Sequence, residues 1–274
     1  MLPLDPERYR VPYNASFSLS ERIPNDTQGW TDESAADDLF DTNRKRLARL
    51  QERLYAEHKQ SLLIVLQAMD TAGKDSTIRN VTKGINPQGC HVVSFKAPSK
   101  RELAHDFLWR VHQQTPGKGH ITIFNRSHYE DVLIVRVHGW ASPDLIEKRY
   151  QHINDFERML ADHGTRIVKI MLHISKDYQR QRLVRRLKRP DKHWKFNPGD
   201  LKERARWDDY MAAYEAALQN CSTPHAPWYV IPAEQRWFRN LVISQLLVDT
   251  LEAMNPQFPP PDFNIADYPP ESII

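Results

Sequence analysis

Five short apolar runs punctuate this chain, at 62–67, 91–96, 120–125, 166–174 and 228–232, and each gap between them is long enough to hold a helix. Strand-length runs alternating with helix-length segments predict an α/β fold built on a parallel sheet. Such a sheet needs right-handed helical crossovers and gathers its ligand site at the carboxyl ends of the strands. Ahead of the first run, from Asp32 to about His58, Leu39, Leu47, Leu50, Leu54 and Tyr55 recur at mostly helical spacings among Arg, Lys and Glu. That pattern predicts an amphipathic helix packed on the core. Residues 1 to about 30 mix Pro, Asn, Asp and Ser with scattered aromatics and hold no period, which reads as an irregular arm able to wrap the body or a neighbour. The expected organisation is an arm over 1–40, one principal domain over 41–260 with an insertion at about 176–219, and a tail over 261–274. The chain shows no internal repeat and no low-complexity tract.

Composition changes this picture little. A chain of 274 residues with 40% hydrophobic content buries a sizeable core as one domain. The net charge of +3, from 38 basic and 35 acidic residues, is too even to indicate nucleic-acid binding by itself, so local segregation of charge decides. Cys90 and Cys221 are far apart and belong to no C-x-x-C spacing, which suggests neither a disulfide framework nor a structural zinc site and fits a reduced cytoplasm. The start at Met1-Leu2-Pro3-Leu4 lacks a basic, apolar leader, and no run approaches membrane-spanning length. A soluble cytoplasmic protein without a membrane or nucleic-acid partner is expected.

Three segments carry chemistry. The first apolar run ends in Ala68-Met69-Asp70-Thr71-Ala72-Gly73-Lys74-Asp75-Ser76, and the residues from Ser76 to Ile85 can form a helix. A helix N-terminus after a strand offers unpaired N–H groups and partial positive charge to phosphate, and Lys74 adds a mobile cation. The P-loop (Walker A) pattern is G-x-x-x-x-G-K-[ST]. This loop departs from it twice, with Ala68 for the first Gly and Asp75 for the hydroxyl residue that ordinarily ligates magnesium. Asp70, three residues before Gly73, is the candidate to hold the metal or to orient a phosphate oxygen. The alternative is a plain turn before a helix.

Following the third run stands Asn125-Arg126-Ser127-His128-Tyr129-Glu130-Asp131. In P-loop enzymes an acidic residue near a neighbouring strand end helps hold magnesium and a guanidinium neutralises the transferring phosphoryl group. Asp131 and Arg126 fit those roles, with Arg136 further along. The competing explanation of Glu130-Asp131 is a pair of carboxylates favoured at a helix start. His128 reads as packed or hydrogen-bonded rather than catalytic. After the fourth run, Lys176 to Arg189 is dense in arginine, Arg182 and Arg186 share a helix face, and Pro190 ends the helix before Lys192-His193-Trp194-Lys195. The cations greatly outnumber the acids, so the segment favours a polyanion over a self-paired solvated face. A second helix from about Pro198 to Gln219, bearing Trp207, Tyr210 and Tyr214, completes a hairpin placed to close over the loop as a water-excluding lid.

Taken in order, Asp70 to Asp75, Phe124 to Asp131, Arg182 with Arg186 and Pro190, Lys192 to Lys195, and Ala226-Pro227-Trp228-Tyr229 resemble the polyphosphate kinase 2 family, related to thymidylate kinase among the P-loop kinases. The resemblance runs from about Asp41 to Glu252, and the His128-Tyr129-Glu130-Asp131 form looks like its class III branch, which uses nucleoside mono- and diphosphates. It implies a P-loop kinase-like parallel five-stranded sheet flanked by helices, with a helical lid. It implies Mg2+-dependent, reversible transfer of the terminal phosphoryl group of inorganic polyphosphate to AMP and ADP, giving ADP and ATP. Asp70 and Asp131 would bind magnesium, and Asp70 would also align the acceptor. Lys74 would hold the donor's terminal phosphate or the nucleotide phosphate, on a loop formed by Ala72, Gly73, Asp75 and Ser76. Arg126, Arg136, Arg182 and Arg186 would neutralise charge on donor and acceptor as it shifts, Glu130 would join the phosphate- and nucleotide-binding residues, and Lys192 and Lys195 would extend the polyphosphate track. A homo-oligomer is expected, and guanine nucleotides are left open as acceptors. The rivals are an ATP-dependent nucleoside monophosphate kinase of thymidylate-kinase type and a non-catalytic polyanion- or nucleotide-binding regulator.

Overall fold

The computed structural model describes residues 3–273; Met1, Leu2 and Ile274, at the ends of the expected arm and tail, lie outside the described residues. The five apolar runs form five parallel strands: β1 Ser61–Ala68, β2 Cys90–Ser94, β3 Ile121–Asn125, β4 Thr165–His173 and β5 Trp228–Pro232. Their spatial order is β2-β3-β1-β4-β5. β1 lies in the middle, with Leu62 beside Ile121 on one flank and beside Arg166 on the other, and every one of its residues is buried. Such a strand has no solvated face, which is why its sequence is a run and not an alternation. From β1 the chain leaves towards β2, and from β3 it leaves across β1 towards β4. The crevice between β1 and β3 is thus the switch point where ligands bind in open α/β sheets.

Helix α1, Glu33–Glu57, begins where the Asp32 carboxylate accepts from Ala35 N, and it ends at His58 in the left-handed region. The irregular arm therefore stops at Asp32, and residues 33–40, expected within it, are helical. α2, Lys74–Val81, follows the loop after β1; α3, Pro143–Asp162, leads into β4; and α7, Arg236–Met254, follows β5 and packs on α1 through Asn43 Nδ2 bonds to Ser244 Oγ and Gln245 Oε1. No helix among the described residues is long and apolar enough to cross a membrane. Both cysteines are free.

The two sheet edges differ. β5 is fully buried although it is an edge strand, because the arm covers it: Val11 N donates to Trp228 O at 2.8 Å, and Tyr9, Val11, Phe17 and Leu19 enter the core. β2, at the other edge, remains partly exposed.

The expected hairpin after β4 is only partly a lid. α4 spans Lys176–Lys188, Pro190–Lys195 is a 3-10 turn, and the second helix is broken at Arg206 into α5, Gly199–Ala205, and α6, Trp207–Cys221. Trp207, Tyr210 and Tyr214 fall on one helical face with Ala213 and Ala217, and all five are buried. That apolar face anchors α6 in the body, and the segment whose basic side chains overhang the loop is 182–195.

Candidate active site

The loop after β1 is bent by two residues in the left-handed region, Thr71 with φ 71° and Gly73 with φ 105°. The φ of Gly73 favours glycine, and a Cβ there would lie 2.5 Å from Arg239 Nη1, so that buried guanidinium would have to shift. Lys74 folds back to donate to Ala68 O at 2.8 Å, and burial lowers its pKa although Asp70 pulls the other way. Ser76 Oγ and Thr77 Oγ1 both donate to Gly73 O, closing the first turn of α2. Asp75 is exposed and accepts from Asn125 Nδ2 at 2.9 Å.

β3 delivers the second group of residues next to this loop. Arg126, itself left-handed with φ 62°, places Nη2 2.9 Å from Asp70 Oδ1 and Nη1 4.0 Å from Glu130 Oε2. Glu130 follows in the 3-10 turn His128–Asp131, which Ser127 caps by accepting from Tyr129 N. Burial raises the Glu130 pKa, opposed by Arg126 and Lys74, so this carboxylate belongs electrostatically to the phosphate loop. Asp131 does not join it. Its carboxylate is 3.7 Å from Arg149 Nη1, burial raises its pKa, and Arg149 and Arg110 pull it back. Asp70 and Glu130 both approach Arg126, whereas Asp131, expected to pair with Asp70, approaches Arg149. Arg136 is exposed, donates to Tyr150 Oη at 2.9 Å and does not line the cleft.

Beneath this turn lies a buried polar network. His128 Nε2 stands 3.2 Å from Glu157 Oε1, Tyr129 Oη donates to the same oxygen, and Lys169 Nζ reaches Glu157 Oε2, Tyr129 Oη and Cys221 O. All four side chains are fully buried or nearly so. His128 is a packed residue, as its sequence position suggested.

The loop, the β3 end and the overhanging segment enclose a cleft of about 650 Å3. Asp70, Gly73, Lys74, Asp75, Ser76, Arg126, Arg182, Arg186, Lys192 and Lys195 all line it. Arg186 Nη1 is also held by Asp200 Oδ2 at 3.2 Å and by Lys195 O at 2.9 Å, which braces the lid. Lys195 Nζ approaches Asp75 Oδ2 at 4.0 Å, drawing the lid turn onto the phosphate loop. In all, eleven basic side chains face two carboxylates along this lining. Five of the eleven were not singled out from the sequence: Arg79, Lys96, Arg185, Arg189 and Arg236. The usable signals were positional, since Arg79 lies three residues after Ser76 on α2, and Lys96 and Arg236 follow the ends of β2 and β5, where ligand loops gather.

Residues 31–259 match the family model described as Polyphosphate kinase 2. The chain is 53% identical over 257 residues to an AMP/ADP-polyphosphate phosphotransferase of Meiothermus ruber, covering 93% of this chain and 96% of that protein. It is 47% identical over 238 residues to an ADP-polyphosphate phosphotransferase of Rhodopseudomonas palustris, covering 81% of each. The crystal structure of polyphosphate kinase 2 from Arthrobacter aurescens superimposes with a TM-score of 0.92 at 47% identity, covering 95% of this chain and 93% of that one. A glycine-lysine loop at the switch point, a cleft dominated by cations and these likenesses agree: the chain belongs to the polyphosphate kinase 2 family.

Proposed function

We propose that this protein transfers the terminal phosphoryl group of inorganic polyphosphate to AMP and to ADP, forming ADP and ATP, and runs in reverse through the same cleft. The observation that carries the reading is the excess of eleven cationic side chains over two carboxylates around the phosphate loop. A nucleoside triphosphate donor presents three phosphates and a base, whereas a condensed phosphate repeats its charge and calls for a track of cations. The names of the relatives, phosphotransferases acting between polyphosphate and AMP or ADP, support it and do not favour an ATP-dependent monophosphate kinase.

In the reaction a phosphate oxygen of the acceptor forms a bond to the terminal phosphorus, the bridging P–O bond breaks, and the shortened chain departs as an anion. The protein's task is positioning and charge neutralisation. Lys74 and the N–H groups at the start of α2 hold the transferring phosphate. Arg126 lies between Asp70 and Glu130, ready to follow charge as it moves from donor bridge to product. Arg182 and Arg186 meet the chain from the lid. Kinases of this type work with a divalent cation, and the hard oxygen donors of Asp70 and Glu130, both near Arg126, fit magnesium, which binds through one or two carboxylates together with substrate phosphates. Held by Asp70 and Glu130, such a cation would supply positive charge that lowers the repulsion between the phosphates. Asp131 lies outside that pair and takes no metal in this reading.

Incubation of the purified protein and magnesium with AMP plus either polyphosphate or ATP tests the reading. ADP is expected from polyphosphate. ADP formed from AMP and ATP, with none formed from AMP and polyphosphate, would overturn the assignment.

A further inference from the structure

α7, which follows the last strand, carries Arg239 underneath the phosphate loop. This side chain is 1% exposed, and its guanidinium donates to Ala72 O at 3.2 Å, Ser76 Oγ at 3.4 Å and Asn240 Oδ1 at 2.9 Å. None of these acceptors is charged. Among the described residues no carboxylate forms an ion pair with Arg239. Burial drives its pKa down to about 10; Tyr178 opposes this slightly, while Arg236 and Arg182 add to it. Glu234, which lines the same region, is instead engaged by Ser175 N and Oγ at 2.9 and 2.6 Å. Buried charges are ordinarily paired, and this protein does pair Lys169, its other deeply buried cation, with Glu157.

Two further observations point to what supplies the missing charge. The Arg239 guanidinium fills the space that any side chain at Gly73 would need, so it packs directly on the loop. It also lines a second cleft of about 690 Å3 with Arg79, Arg182, Arg185 and Arg236, and those four line the phosphate cleft as well, so the two clefts adjoin through the same arginines.

We infer that Arg239 is a positioning residue for phosphoryl transfer, whose counter-charge is the condensed phosphate seated at the loop and whose bond to Ala72 O holds that loop in its phosphate-binding form. The inference rests on the polyphosphate reading above. A buried cation without an anion is a cost carried by the empty protein and relieved on binding, so occupancy of the cleft and order in the loop become linked.

The test uses the full chain with Arg239→Met and Arg239→Lys, measuring thermal unfolding without and with tripolyphosphate, and initial rates with polyphosphate and AMP varied separately. For Arg239→Met the expected result is an unfolding temperature in the empty state equal to or above that of the wild type. Its rise on adding tripolyphosphate should be at most half the wild-type rise, and KM for polyphosphate should increase at least tenfold, with KM for AMP changed less than twofold. Arg239→Lys should recover most of the tripolyphosphate response. A purely structural arginine would give the opposite pattern, a lower unfolding temperature with an undiminished tripolyphosphate response, and that result overturns the inference. If Arg239→Met does not fold, Arg239→Lys decides: it keeps the charge but not the fork that reaches both Ala72 and Ser76, so KM for polyphosphate should rise about threefold, and an unchanged value refutes the role. Wild-type protein inactive with polyphosphate would instead refute the functional reading itself.

Discussion

Two charged regions lie close together in this fold and are built on opposite terms. Under the 128–131 turn, Lys169 and Glu157 are completely buried and matched one to one, with Tyr129, His128 and a backbone carbonyl using the remaining hydrogen bonds. Around the phosphate loop, Arg79, Arg182, Arg185, Arg236 and Arg239 form no ion pair among the described residues. Charge matched inside the protein holds a turn in place and leaves nothing for a ligand. Charge left unmatched by protein carboxylates, solvated at the exposed Arg79, Arg185 and Arg236 and buried at Arg239, stays available to an incoming anion. The first region thus fixes where Glu130 points, and the second determines what comes to meet it.

That contrast can be broken most severely at the loop. Lys74→Ala and Asp70→Asn should each cut turnover by roughly a thousandfold or more, the scale of losing a preorganised charge at a transferring phosphoryl group. Circular dichroism should stay unchanged, and substantial ADP formation would remove these residues from the mechanism. In the matched region, Lys169→Met strands Glu157 and should cost about 3–5 kcal/mol of stability in urea titration, most of it regained when Glu157→Leu is added. Arg182→Ala gives the sharpest comparison with it. Stability should move by no more than about 0.5 kcal/mol, while KM for polyphosphate rises about tenfold as one charge-assisted contact of about 1.4 kcal/mol is lost.

Titration gives the finest discrimination. In Glu157, burial pushes the pKa up but Lys169 and the His128 hydrogen bond outweigh it, leaving the folded value below 4.5. Its contribution is therefore present above pH 4.5 and is lost as pH falls through the depressed value. Glu130 runs the other way: burial raises it above 4.5, so its ionised form is penalised as pH rises through the raised value. Glu130→Gln should accordingly unfold at a slightly higher temperature than the wild type at pH 7, with the gain vanishing below pH 4.5, while turnover falls about tenfold or more through loss of a carboxylate beside Arg126. A stability gain that persists in acid would contradict the burial assignment.

Much of this was legible in the chain. The runs from Leu62, His120, Arg166 and Trp228 became strands within a residue or two, because these strands are buried almost throughout and leave a nearly unbroken apolar signature, and the run from His91 became the partly exposed edge strand β2. The helical spacing from Asp32 marked α1, whose cap the structure shows to be that Asp32 carboxylate, and Gly73-Lys74 marked the loop, since phosphate binding at a helix N-terminus depends on adjacent residues. The aromatics of α6 misled, because the same spacing describes a lid face and a core face. Only packing against α3 distinguishes them.

The sequence by itself determined the strands, the loop and the excess of cations after β4, all of which are written within a few residues of one another. Tertiary structure alone decided that Glu130 and not Asp131 shares Arg126 with Asp70, that Arg79, Arg236 and Arg239 join the lid arginines, and that the arm seals β5. The physical reason is convergence. Parallel strands bring their carboxyl ends together from positions far apart in the chain, and the charge that a ligand meets is the sum over all of those ends, which no local pattern records.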